Sequence, residues 1–242
     1  MIPFSKPVAL VTGGASFLGK AISLKLAVEG FDLILHYQSS LGKTQELALE
    51  AGRLGAKTKL VKADLRKTEQ TRGLIQKAVG FFRRLDFLVN NASLFYPTPP
   101  SRPKPGQWRE MIDTNLLSPY FLSLAAAPWL TKTRGSIVNL TDIYGENPIL
   151  KNYAAYCTSK AGLIAATKIL SRELGPSIRV NAVSPGAIFI PKSYSRKQRE
   201  QLLQRSTLKR QGTPEDIAEA VYFLASQKFI TGHILKVDGG RF

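Results

Sequence analysis

Residues 7–12 form a continuous apolar run that stops at Gly13-Gly14, and the apolar positions Leu18, Ala21, Ile22, Leu24, Leu26 and Ala27 follow at once. A short strand with no polar face needs cover on both sides, as in a parallel sheet flanked by helices. The glycines let the chain reverse directly into a helix, which Gly30 closes. This strand, turn and helix is the most restrictive feature of the chain.

The alternation continues to the C-terminus. Strands are predicted at 31–37, 58–63, 85–89, 136–140, 178–183 and 234–237. Helices are predicted at 42–54, 68–82, 107–130, 153–174, 195–207 and 214–226, with Pro119 free to kink the long 107–130 helix. The pattern predicts one doubly wound α/β domain over residues 1–242, with a mostly parallel seven-stranded sheet and helices on both faces. Right-handed crossovers then bring every strand C-terminus, and the ligand crevice, to one edge.

Composition narrows the partners. No apolar run reaches the ~18–20 residues that cross a bilayer, and the first seven residues lack a signal-peptide core. A cytoplasmic location without membrane contact is expected. Cys157 is the one cysteine, and His36 and His233 are the two histidines, so a metal site is not expected. The net charge is +17, but the cations are spread along the chain with no basic tail or aromatic-interleaved stripe. That argues against nucleic acid as a partner, beyond nonspecific adhesion at low salt, and leaves an anionic cofactor and substrate or a generally basic proteome to account for the charge.

The strand ends carry the candidate chemistry. Gly13 and Gly19 frame a turn whose backbone N–H groups can approach a pyrophosphate. The second strand ends His36-Tyr37-Gln38-Ser39-Ser40, with Lys43 beyond, and offers no carboxylate to a ribose 2′-hydroxyl; this favours NADP over NAD. Asp64 is placed to accept from an adenine amino group or to cap a turn. Asn90 is placed to tie neighbouring strands, and Asn115 sits mid-helix, where Asn is unfavoured without a polar task. Tyr156 and Lys160 lie four apart on one helix face, where an ammonium would lower the phenol pKa. Cys157, one position round, reads as a packing residue.

In this order and spacing, Thr12-Gly13…Gly19, Asn90-Asn91-Ala92, Asn115, Tyr156-x-x-x-Lys160, Pro185-Gly186 and Val237-Asp238-Gly239-Gly240 resemble the short-chain dehydrogenases/reductases over essentially the whole chain. The resemblance implies a Rossmann-fold oxidoreductase, commonly a homotetramer. NADPH would lie along Gly13, Phe17 and Leu18, then His36, Tyr37, Gln38 and Ser39, then Asp64 and Leu65. It would continue past Asn91, Ala92 and Ser93 to Tyr156, Lys160, Pro185 and Gly186. Tyr156 would donate a proton, Lys160 would hold the nicotinamide ribose and lower the Tyr156 pKa, and Asn115 would hold a water.

Two departures are informative. Phe17 replaces a second motif glycine. Asp142 stands where the family has its catalytic Ser, allowing one extra residue before Tyr156. A carboxylate ~4 Å from a developing alkoxide costs ~4 kcal/mol at an effective dielectric of ~20, or roughly three decades in rate. With the stretch Asn-Asn-Ala-Ser-Leu-Phe-Tyr-Pro-Thr-Pro from Asn90, this is similar to the pteridine reductases. That branch implies reduction of a pterin, dihydropterin or dihydrofolate C=N bond. Phe95 would stack on the pterin, Ser93 would bond it or a cofactor phosphate, and Asp142 and Tyr156 would serve its nitrogen. Residues 192–210 would form a basic lid. The alternatives are a 3-oxoacyl-carrier-protein or other carbonyl reductase, and a non-catalytic NADP-binding regulator.

Overall fold

The computed structural model describes residues 6–190 and 195–241, so the first three residues of the expected lid, 192–194, lie outside the described residues. Seven strands form one sheet: β1 (Val8–Val11), β2 (Asp32–Tyr37), β3 (Thr58–Lys62), β4 (Phe87–Asn90), β5 (Ser136–Leu140), β6 (Arg179–Pro185) and β7 (Ile234–Val237). Their order is 3-2-1-4-5-6-7, and every pairing is parallel rather than most. The order reverses between β1 and β4, the position at which doubly wound sheets open a ligand crevice.

The period-2 geometry of each strand divides the core. Ala9, Val11, Leu33 and Leu35 point to one face, where α1 (Phe17–Val28), α2 (Leu41–Arg53) and α9 (Pro214–Ser226) supply Leu26, Leu47 and Val221. Val8, Leu10 and Ile34 point to the other face. There they meet Leu74 of α3 (Thr68–Phe82), Leu122 of α5 (Ser118–Thr133) and Leu170 of α7 (Ala154–Glu173).

The predicted 107–130 helix is three pieces: α4 (Pro105–Ile112), a π-helical segment (Asp113–Leu117) and α5. Pro119 has no N–H to give the carbonyls three to five residues back, so regular bonding cannot run through it, and the register loosens just before it. The predicted 195–207 helix is shorter, α8 (Arg196–Leu203), after which Ser206 pairs with Arg241. A four-residue helix, α6 (Ile143–Glu146), has no periodic signal in the sequence. Among the described residues, no helix is long and apolar enough to cross a membrane.

Asn90 ties strands together, as one reading of the sequence expects. Its Nδ2 donates to Asn139 Oδ1 at 2.8 Å, and Asn139 Nδ2 donates to Thr167 Oγ1 at 2.9 Å. This fully buried relay locks β4, β5 and α7 in register. Asn139→Ala removes both bonds, leaving Asn90 Nδ2 its longer contacts with Ser123 Oγ and Pro119 O and Thr167 Oγ1 its bond to Leu163 O. Losing two bonds should cost about 1–3 kcal/mol in urea unfolding, and an unchanged midpoint would show that the relay does not hold the sheet.

Candidate active site

A crevice of about 710 Å³ runs along the C-terminal ends of the strands. At one end, the chain leaves β1 through Gly13 at φ +60, a conformation that favours glycine. Thr12 Oγ1 accepts from the N–H groups of Asn91 (2.9 Å) and Ala92 (3.0 Å). The Asn91 amide donates to Thr12 O (2.8 Å), Gly13 O (3.1 Å) and Ser16 Oγ (3.1 Å). Ser16 caps α1 by accepting from Gly19 N, and any Cβ on Gly19 would collide with Gly13 O. Phe17 and Leu18 open α1 on the crevice wall, so their N–H groups have no acceptor within the helix and suit a phosphate.

His36 lines this end from beneath. It is 2% exposed; its Nδ1 accepts from Gly13 N at 3.1 Å and its Nε2 lies 3.1 Å from Ala63 O. These partners require a neutral ring with the proton on Nε2. Burial pulls its pKa down from 6.5 to about 4. Tyr37, Gln38, Ser39 and Lys43 continue the wall from the end of β2, a stretch without a carboxylate. Asp64 lies beyond them, next to Leu65, but its carboxylate is already held by Arg66 Nε (2.9 Å) and Nη2 (2.8 Å), and Arg66 also reaches Glu110. The Arg66 hydrogen bond holds the Asp64 carboxyl below its usual range.

Asn115 does not have a side chain free to hold water. Its Oδ1 accepts from Leu94 N (2.8 Å) and Ser93 Oγ (3.2 Å). Its Nδ2 donates to Leu94 O (2.9 Å) and Ser159 Oγ (3.1 Å). Four bonds saturate a carboxamide. The residue therefore fastens the loop after β4 to α7, and Ser93 is turned toward it.

The reacting end lies between α6 and α7. Tyr156 Oη donates to Asp142 Oδ2 at 2.7 Å, and Asp142 Oδ1 accepts from Tyr144 N as the cap of α6. Asp142 thus both caps a turn and faces the tyrosine. Thr141, one residue before Asp142, turns away to donate to Val183 O. Lys160 Nζ donates to Leu140 O at 2.7 Å and lies 5.7 Å from the Tyr156 ring centre. The expected lowering of the Tyr156 pKa is absent. Burial, followed by the Asp142 charge, pushes it well above 10, and Lys160 does not offset them. Burial also raises Asp142, and it lowers Lys160 to about 8, so the ammonium persists at neutral pH.

Phe95 stacks on Tyr153 (4.7 Å between centres, 21° between planes) and meets Tyr156 edge-on at 4.7 Å. Phe17 reaches across the crevice to Phe189, edge-on at 5.7 Å, so its ring closes a wall instead of opening the phosphate end. Pro185 and Gly186 line the floor, where Gly186 packs on the Asp238 backbone with no room for a Cβ. Arg241 carries no signal in the sequence. The β7 turn brings its Nη2 within 3.0 Å of Tyr144 Oη, and it lines the reacting end. Glycine turn, helix N-terminus, acid-free β2 end and buried ammonium lie along one crevice, a donor set that fits an extended dinucleotide.

A family profile described as enoyl-(acyl carrier protein) reductase matches residues 13–241. The 3-oxoacyl-[acyl-carrier-protein] reductase of Staphylococcus epidermidis is 37% identical over 97% of this chain and 98% of its own length. The chain is a short-chain dehydrogenase/reductase. The corresponding Thermotoga maritima reductase is 38% identical over 96% of each chain. A blue fluorescent protein from a metagenomic library, solved in complex with NADPH, is similar to this dehydrogenase/reductase with a TM-score of 0.90 and 30% identity, covering 97% of each chain.

The neutral His36 makes this dehydrogenase/reductase acid-sensitive. The unfolded chain takes up the proton near pH 6.5 and the folded one only near 4, so stability is unaffected above 6.5 and falls as pH drops through that window. Between pH 7 and 5 His36 should account for about 2 kcal/mol of lost unfolding free energy. Urea titrations of the wild type and His36→Asn at both pH values would check this; equal slopes with pH would contradict it.

Proposed function

We propose that this chain is an NADPH-dependent reductase of a C=N bond in a pterin-type ring: a pterin, a dihydropterin or dihydrofolate. The reading is carried by the 2.7 Å bond from Tyr156 Oη to Asp142 Oδ2, which puts a carboxyl group where ketone reductases of this family present a hydroxyl. NADPH is favoured over NADH by the β2 end, which offers Gln38, Ser39, Ser40 and Lys43 and no acid.

When bound, NADPH supplies the hydride, which adds to the ring carbon. Tyr156 then gives its proton to the adjacent ring nitrogen. Its raised pKa keeps the phenol protonated until that moment. The buried Lys160 ammonium lies 5.7 Å from the centre of the ring that is left as phenolate. Asp142 Oδ2 accepts from Tyr156 Oη at 2.7 Å and so holds the phenol at the reacting end; the proton Tyr156 gives up is replaced from water. A ring nitrogen suits such a carboxyl better than an alkoxide does, because N–H groups donate to it and carry no negative charge. Phe95 and Tyr153 form an aromatic wall beside Tyr156 for a flat heterocycle.

A second reading is reduction of a 3-oxoacyl thioester. It is favoured by the names of the relatives at 37–38% identity. The protonated form of Asp142 that burial promotes also supports it, since that form can donate to a ketone oxygen.

NADPH oxidation followed with dihydrobiopterin, dihydrofolate and an acetoacetyl thioester separates the two. Turnover of pterins with little on the thioester is expected; the reverse would establish the carbonyl reductase. Tyr156→Phe should lower kcat by about 10²–10⁴-fold, the usual weight of a positioned proton donor, with a small change in KM. Asp142→Ser should shift the preference toward the thioester. If it leaves the ratio of the two activities unchanged, Asp142 does not set the substrate.

A further inference from the structure

The glycine turn is held from below by one side chain and its own backbone. His36 Nδ1 accepts from Gly13 N at 3.1 Å, and His36 O accepts from Gly14 N at 3.1 Å. On the far side, the ring bonds Ala63 O at the end of β3. The first two N–H groups of the turn therefore point into the sheet. Gly13 O is left to accept from Ser16 N (3.0 Å) and from the Asn91 amide. With those donors engaged, the N–H groups left to a phosphate at this end are those of Ala15 and of the residues that open α1.

We infer that His36 is a positioning residue for the pyrophosphate half of the dinucleotide: its unprotonated Nδ1 fixes the Gly13 peptide plane and so the aim of the α1 N-terminus. His36 touches no phosphate. Without its ring, the Gly13 peptide has no acceptor below and is free to rotate its N–H toward the crevice, disturbing the path over Phe17 and Leu18. The inference rests on the dinucleotide reading of the crevice and is independent of whether the substrate is a pterin or a thioester.

The two imidazole nitrogens can be tested apart. In His36→Asn the Oδ1 takes the place of Nδ1 and keeps the acceptor for Gly13, but the donor to Ala63 is lost. In His36→Gln the amide reaches toward Ala63, and the acceptor under Gly13 is lost. Calorimetry with NADP⁺ at pH 7.5 reads the affinity, and 2′-AMP, which has no pyrophosphate, serves as the control ligand. Thermal melting of each ligand-free protein checks the fold. The expected result is that Gln weakens NADP⁺ by about tenfold or more, that Asn stays within about threefold of wild type, and that both bind 2′-AMP normally. Equal NADP⁺ affinity in Gln and wild type would overturn the inference. So would parallel losses in Gln and Asn that track their melting temperatures, because His36 would then act only through stability. Failure of the wild type to bind NADP⁺ would instead overturn the dinucleotide reading itself.

Discussion

The crevice depends on the knot between Thr12 and Asn91. These residues end β1 and begin the loop after β4, the two strands between which the sheet order reverses. A parallel sheet splays at such a point, because its crossovers leave on opposite faces. The Thr12 hydroxyl and the Asn91 amide close the gap with five bonds to backbone and Ser16. Both the glycine turn and the loop after β4 start from this closed point. Displacing it would move the cofactor end and the reacting end of the crevice together.

Most of the fold was legible because its signals are local. The strands at 136–140 and 234–237 and the helices at 68–82 and 214–226 fall where apolar period and flanking turn residues place them. The π-helical segment was not legible. Pro119 signals a disturbance, but which register the chain takes depends on what the polar side chain of Asn115 finds across the fold. α6 escaped for a related reason: it is one turn long, capped by a residue whose other oxygen is committed to α7.

The site was legible as a set of residues more than as a set of roles. Tyr156, Lys160 and Asp142 meet, and Phe95 stands beside them. The direction of the Tyr156 shift was not readable, because spacing along a helix places the cation near the phenol but says nothing of burial. Asp142 and a low-polarity pocket decide the sign. Asp64 and His36 lie on the crevice wall as expected, yet each is committed to a protein partner that is distant in sequence or supplied by a turn. Arg241 depends wholly on the last turn folding back over α6, which no local pattern encodes.

The four bonds of Asn115 carry a mechanical consequence. They join Leu94, one residue before Phe95, to Ser159, one residue before Lys160. The aromatic wall and α7 are therefore clamped into a single jaw through the Leu94 backbone and the Ser159 hydroxyl. The opposite jaw carries Phe189 and α8, whose helix buries no residue of its own. The spacing between Phe95 and Tyr156, 4.7 Å between ring centres, is thus set by the protein's own bonds before any ligand enters.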